Sequence, residues 1–340
     1  RRAAGCGCVA WKVSGRSGLG LEAQGAQFAI ALGLGGLGRL DGPAQRHPQH
    51  LAAAALAFAA PVRAEAPKEI RIDWATYNPV SMILKQKGLL EREFAKDGIS
   101  VVWVQSAGSN KALEFLNAGS IDFGSTAGAA ALIGKINGNP IKSIYVYSRP
   151  EWTALVTGAK SEITKVADLK GKRVAVTRGT DPHIFLVRAL LGAGLSEKDI
   201  TPVLLQHADG KAALEQGRVD AWAGLDPLLA ASELEQGSRL IYRNVAFNTY
   251  GFLNVREEFL AQQPDTVRRV ITQYERARQW ILANTTEAAR IVSEEAKVSL
   301  QVALLQLKLR TDLSHPQPSQ EHIAALQGAA PILLSEGLVK

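Results

Sequence analysis

The stretch Gly119-Ser-Ile-Asp-Phe-Gly-Ser-Thr126 has a near copy further along the chain, Gly217-Arg-Val-Asp-Ala-Trp-Ala-Gly224. Each follows an amphipathic pattern, 111–117 and 212–216, that halts at a glycine, the residue that most readily takes the left-handed turn closing a helix. A hydrophobic residue, an aspartate and a short apolar run come next, leading into small and polar residues. Helix, turn, buried strand and polar strand end make one unit of an α/β layer. Two such units predict two lobes whose strand ends face each other across a cleft, an arrangement suited to gripping a ligand.

At 340 residues the chain has room for two cores, and 46% hydrophobic with 21% charged residues fits a globular protein. The formal charge of +7 is not a nucleic-acid signal, because positions 1 to 66 hold seven basic residues against three acidic ones. Downstream, charges of both signs are interleaved, as in Glu91-Arg-Glu-Phe-Ala-Lys-Asp97, which reads as solvated surface. Both cysteines, Cys6 and Cys8, fall in the first ten residues. From Val9 onward a disulfide, a cysteine-ligated zinc and a thiol nucleophile are excluded. No catalytic residue, metal site or cofactor is expected.

Leu51-Ala-Ala-Ala-Ala-Leu-Ala-Phe-Ala-Ala60 is a brief apolar run after Arg46, followed by Pro61-Val-Arg-Ala64-Glu-Ala66. A charged flank, a short apolar core and an Ala-x-Ala ending predict a secretory signal peptide, cut after Ala66 or Ala64. The run is too short to span a bilayer, which needs roughly 20 apolar residues. The leader is therefore 1–66 and the mature protein is expected in the periplasm. Residues 1–45, rich in glycine, alanine and arginine and without methionine, are assigned no structure.

In the mature chain, strand patterns alternate with helix patterns: strands at 69–74, 99–104, 121–125 and 141–147, then 152–157, 172–177, 201–205, 240–242 and 250–255. Between them fall helices at 80–86, 111–117, 126–137, 184–191 and 228–235, and the tail from Pro264 reads as almost wholly helical. This alternation predicts largely parallel sheets covered on both faces. Ligands of such sheets sit beyond the carboxyl ends of the strands, where helix N-termini present free N–H groups.

Three segments, Val166-Ala-Asp-Leu-Lys-Gly-Lys-Arg-Val-Ala-Val176, Arg188-Ala-Leu-Leu-Gly-Ala-Gly-Leu195 and Gln216-Gly-Arg-Val-Asp-Ala-Trp222, resemble periplasmic solute-binding proteins of ABC transporters. Within that group the chain looks like the aliphatic-sulfonate binders, related to binders of taurine, nitrate and thiamine precursors, and the likeness runs from about 67 to 340. It implies a type II periplasmic-binding fold, with two α/β lobes joined by two crossover strands near Glu151–Thr157 and Asn248–Leu253. Lobe 1 is then 67–155 plus 249–340, and lobe 2 is 156–248. The resemblance implies a monomer that closes on a small anion, most simply an alkanesulfonate, and delivers it to a membrane permease, with no nucleic-acid partner. The rival reading is an enzyme on the same fold in thiamine-pyrimidine precursor synthesis, or a binder of taurine, nitrate or a vitamin precursor.

Strand-end turns place the candidate ligand contacts: Tyr77 and Asn78; Gly108; Ser125, Thr126 and Ala127; Arg149; Gly179, Thr180, Asp181 and His183; Trp222 and Asp226. Helix starts can bind an oxyanion without a full opposing charge, each contributing about 0.3–1 kcal/mol. Asn78, Thr126 and Asp181 are equally suited to capping helices. Arg149 reads as an anion contact or a surface charge, and Trp222 as an apolar wall or core packing. Asp226 would orient donors or read an amine, and His183 is a loop histidine or a ligand contact. In the sulfonate binders a Ser/His-rich stretch stands where this chain has Thr180-Asp-Pro-His183.

Overall fold

The computed structural model describes residues 66–335 and 337–339, so the predicted signal peptide and its cleavage positions fall outside the described residues, apart from Ala66 itself. In chain order the elements are β1 Glu69–Trp74, α1 Pro79–Gln86, α2 Leu89–Phe94, β2 Ser100–Gln105, α3 Ser109–Asn117, β3 Phe123–Ala127, α4 Gly128–Ile136 and β4 Ile141–Pro150. Then come β5 Thr153–Thr157, β6 Arg173–Val176, α5 Asp181–Gly192, β7 Thr201–Leu204, α6 His207–Glu215, β8 Ala221–Leu225, α7 Leu228–Gln236 and β9 Arg239–Arg243. The chain ends with β10 Gly251–Arg256, α8 Glu257–Gln262, α9 Pro264–Ala283, α10 Thr285–Ala296, α11 Leu300–Leu309, β11 Thr311–Asp312 and α12 Gln320–Ser335.

The strands form two sheets, ordered β11-β4-β10-β3-β1-β2 and β7-β6-β8-β5-β9. Within them β1 runs parallel to β2 and β3, and β6 parallel to β7 and β8. The expectation of largely parallel sheets needs correction, because β10, β4 and β11 pair antiparallel in the first sheet, as does β5 with β8 and β9 in the second. These antiparallel strands flank the two crossings of the chain, at 151–152 and 244–250. β5 and β10, the strands that enter a sheet after a crossing, run against their neighbours, whereas β4 and β9, which leave, run with β1–β3 and β6–β8; no local pattern encodes that direction.

The repeated sequence unit has a physical basis. Helices α3 and α6 both end in a left-handed glycine, Gly119 at φ 66° and Gly217 at φ 67°. The following amides reach back to the last turn, Ser120 N to Phe115 O at 2.9 Å and Arg218 N to Ala213 O at 2.8 Å, the Schellman closure that only glycine enters without strain. Ile121 and Val219 are then buried, and the aspartate meets the parallel strand beside it, β1 or β6. Asp122 accepts from Arg71 N at 2.9 Å, and Asp220 from Arg173 N at 2.8 Å.

Packing follows the layers. The first sheet and the tail share one core, into which α9 sends Val267, Val270, Tyr274, Ala277 and Ile281, the apolar stripe of an amphipathic helix. The second sheet is covered on both faces, by Phe185, Leu186 and Leu190 of α5 on one and by Ala213, Leu214 and Leu229 with Trp222 on the other. Two clusters tie elements of the different sheets together: Ala129 of α4, Ile184 of α5 and Leu333 of α12, and Ala230 and Ala231 of α7 with Val302 of α11. Among the described residues, no helix is long and apolar enough to cross a membrane.

Candidate functional site

The turn after β1 folds on its own polar groups before any ligand is considered. Asn78 caps α1 by accepting from Ser81 N at 3.1 Å, with Pro79 in the first helical turn. Its Nδ2 donates to Ser125 Oγ at 2.8 Å, and Ser125 Oγ donates to Asp73 Oδ1 at 2.8 Å. Ser125 N reaches both Asp73 oxygens at 2.9 Å, and Tyr77 OH donates to Ser125 O at 2.9 Å. Asp73 is fully buried, and burial pushes its carboxyl up to about 6 against the opposing pull of the Ser125 donors. Tyr77, Asn78 and Ser125 therefore come together as a frame for the turn. The serine hydroxyl expected to meet the ligand is already committed on both sides.

Thr126 and Ala127 lie in β3; Thr126 is not a helix cap, and Ala127 precedes α4 as its N-cap without a side chain to accept from it. Thr126 Oγ1 accepts from Asn254 Nδ2 at 2.8 Å, and Ala127 N donates to Ser109 Oγ at 3.0 Å. The amides that open α4 are also taken: Gly128 N donates to Tyr250 O at 3.1 Å and Ala129 N to Thr249 Oγ1 at 2.9 Å. The expected oxyanion donors at this helix start are corrected to a dock for the chain crossing.

In the second lobe, Gly179 takes φ 75° and Thr180 precedes α5, its hydroxyl donating to Thr177 O at 2.6 Å. Asp181 is the first residue of α5 and not its cap. Its buried carboxylate accepts from Trp152 Nε1 at 2.9 Å, Thr249 N at 2.9 Å and Thr249 Oγ1. Trp152 and Thr249 lie in the two crossings, so Asp181 ties the start of α5 to both. Burial raises the Asp181 carboxyl above its ordinary value while those donors hold it down. Asp226 accepts from Ala230 N at 2.9 Å and pairs with the buried Arg310 at 3.1 Å, whose other nitrogen meets Glu233. It is a cross-link between β8 and the end of α11, with its charge compensated inside the protein.

Three sequence candidates are not brought into this group. Arg149 is half exposed and pairs with Glu321 of α12 at 3.2 Å over the Tyr250 ring. His183 is buried with Nε2 at 2.8 Å from Glu197. Trp222 is wholly buried within the second-lobe core, where Gly210 leaves room for its ring.

Gly108 meets the opposite lobe at a third place, away from the Asp181 and Asp226 contacts. It caps α3, at the end of edge strand β2, and an added Cβ would stand 3.2 Å from Cδ2 and Nε2 of His207 and 2.8 Å from Asn110 Oδ1. His207 opens α6, at the end of edge strand β7. The free edges of the two sheets thus meet at the side of the cleft away from the crossings. Neither Gly108, Thr180 nor Gln206 supplies a side-chain cap to the helix it precedes, which leaves these helix starts to whatever the cleft holds. Three buried atoms at this edge, His207 Nε2, Asn110 Oδ1 and Gln206 Oε1, have no hydrogen-bond partner among the described residues.

Asn110, Gln206, His207, Trp152, Thr249 and Arg310 were not singled out by sequence reasoning. A signal for the first three was available: β6-α5-β7-α6 repeats β1-α1-β2-α3, so Gln206-His207 stands where Gly108-Ser109 does. The partners of the others lie 29 to 84 residues away.

Residues 90–288 match the family described as NMT1/THI5 like. The chain is 36% identical over 186 residues to a putative aliphatic sulfonates-binding protein of Escherichia coli, covering 54% of this chain and 58% of that protein. It is 32% identical over 230 residues to one from Bacillus subtilis, covering 67% and 69%. The first of these matches spans less than two thirds of the relative's length. Among solved structures, the alkanesulfonate-binding protein SsuA from Xanthomonas axonopodis pv. citri bound to MOPS superposes with a TM-score of 0.75 at 29% identity, covering 82% of this chain and 96% of that one. A more distant relative is a 4-amino-5-hydroxymethyl-2-methylpyrimidine phosphate synthase of Uromyces fabae, 30% identical over 170 residues, covering 49% of this chain and 48% of that protein.

Proposed function

The chain belongs to the NMT1/THI5-like family, and on that premise we propose that it is the extracytoplasmic solute-binding protein of an ABC importer, taking an alkanesulfonate. It is exported through the signal peptide within 1–66, works in the periplasm as a monomer, and passes its load to a membrane permease. Lobe 1 comprises 67–155 and 249–340, and lobe 2 comprises 156–248. The observation that carries this reading is the meeting of α3 and α6 at Gly108 and His207, with Asp181 holding both crossings on the other side. A guest between the lobes is enclosed by contacts from both, and those contacts exist only when the lobes are together. Ligand affinity and lobe closure are then one equilibrium.

A sulfonate is ionised at any physiological pH, so fixed N–H donors suffice to hold it. Asp73, Asp181 and Asp226 are each compensated by protein donors, and an incoming anion meets no bare carboxylate among these three. The protein is a carrier and not a catalyst on this reading. His207 is held neutral by burial, its pKa pushed down to about 3, which makes it a poor general acid or base near neutral pH.

The test is calorimetric titration of the mature protein with methane- to hexanesulfonate. Binding at micromolar or tighter levels, about −8 kcal/mol, is expected. Absence of binding by every member of the series would reject the assignment.

A further inference from the structure

The acceptors at the α3–α6 edge define what the guest must carry, an inference that rests on the sulfonate reading above. Thr177 Oγ1 donates to Leu205 O at 2.7 Å. A hydroxyl has one hydrogen, so its 3.1 Å contact with His207 Nδ1 has the ring as donor. The proton on Nδ1 leaves Nε2 as a bare acceptor. Burial keeps the ring from taking a second proton, its pKa lying near 3.

His207 is 3% exposed, and Nε2 has no partner among the described residues. Asn110 Oδ1, from the opposite lobe, is also buried and unpartnered, and lies beside the same point next to Gly108. Gln206 Oε1 is the third such oxygen. An amide can turn over and offer its nitrogen instead, but the imidazole is fixed by Thr177, so His207 carries the argument.

Buried acceptors without donors are destabilising unless a partner arrives. Neither end of a plain alkanesulfonate supplies one, since the sulfonate only accepts and the chain does neither. We propose that the preferred guest is a sulfonate whose far end carries a hydrogen-bond donor, a hydroxyl or an ammonium, read by His207 Nε2 together with Asn110 Oδ1. The sulfonate then lies on the far side of the guest, toward the start of α5, which has no side-chain cap. His207 is a specificity residue from lobe 2, Asn110 its counterpart from lobe 1, and both engage only when the edge closes.

The experiment compares propane-1-sulfonate, 3-hydroxypropane-1-sulfonate and 3-aminopropane-1-sulfonate by calorimetry on the mature protein and on His207→Phe, His207→Gln and Asn110→Leu. The ratio of affinities is read, so a general loss of binding in a variant does not confuse the result. The wild type should prefer at least one donor-bearing guest by about tenfold, about 1.4 kcal/mol. His207→Phe should bring the ratio to about one, His207→Gln should recover part of it, and Asn110→Leu should lower it. Should His207→Phe fail to fold, the other two variants decide in the same direction. A wild-type ratio near one, or a ratio untouched by all variants, overturns the proposal while leaving sulfonate binding intact. Failure of all three guests to bind removes the functional reading, and this inference with it.

Discussion

Asp122 and Asp220 occupy the same place in two different sheets. Each accepts the backbone amide of an arginine in the parallel strand beside it, β1 or β6, and returns its own amide to that arginine's carbonyl, at 2.7 Å for Asp122 and Arg71 and 2.9 Å for Asp220 and Arg173. Their surroundings differ. The Asp122 side chain is 2% exposed and also meets Arg71 and Arg256, whereas that of Asp220 is 32% exposed. Removing the buried one leaves the Arg71 amide without its acceptor and takes one carboxylate from Arg71 and Arg256, which keep Glu69 and Glu258, so Asp122→Ala should cost about 3 kcal/mol and Asp220→Ala about 1 kcal/mol. Urea unfolding of both variants checks the order, and equal losses would contradict it.

The Asp73 carboxyl gives the protein a pH signature. Its folded value is about 6, raised chiefly by burial, against an ordinary value of 3.8. Between those values the folded chain holds a proton that the unfolded chain releases. The stability contributed is full below the ordinary value and lost as pH rises through about 6, at up to about 1.4 kcal/mol per pH unit. Thermal unfolding from pH 4 to 7 should therefore show a flatter dependence in Asp73→Asn than in the wild type. Parallel curves would count against this account of the network around Ser125.

Much of this architecture is legible in the sequence because it is local. Asn78-Pro79 announces α1, Gly119 and Gly217 announce the ends of α3 and α6, and the alternation at Glu69–Trp74 announces β1. What was illegible depends on distant partners. Ser125, Thr126 and Ala127 look like free donors until Asp73, Asn254 and Ser109 are brought to them by the sheet. Asp181 reads as a cap until Thr249, 68 residues away, delivers two donors to it. His207 is marked only by the repeat that sets Gln206-His207 against Gly108-Ser109, and the facing of two sheet edges gives it a role.

Trp222 tests the division between core and cleft. Its indole is fully buried among Val156, Ala175 and Leu229, and its Nε1 has no partner, so Trp222→Phe loses no hydrogen bond. The variant should lose about 1–2 kcal/mol of stability from the smaller ring. Ligand affinity should stay within about twofold, because the ring walls the core and not the cleft. A tenfold fall in affinity at unchanged stability would place Trp222 against the ligand.

Gly108→Ala isolates the closing contact. At φ 166° the backbone is extended and open to any residue, so folding stability should change by no more than about 0.5 kcal/mol. The new methyl, however, would press on Asn110 Oδ1 and the His207 ring at 2.8 and 3.2 Å. It props the edge where the lobes meet, and affinity for propane-1-sulfonate should drop about fivefold, about 1 kcal/mol. Calorimetry beside urea unfolding separates the two effects, and an unchanged affinity would show that this contact is not part of closure.

Closure itself is read most directly by small-angle X-ray scattering of the mature protein during titration with a sulfonate that calorimetry has shown to bind. The account predicts a smaller radius of gyration as the site fills, with the saturated curve matching the one calculated from the described residues, 66–335 and 337–339. A bound protein whose scattering does not change from that of the free protein would contradict it.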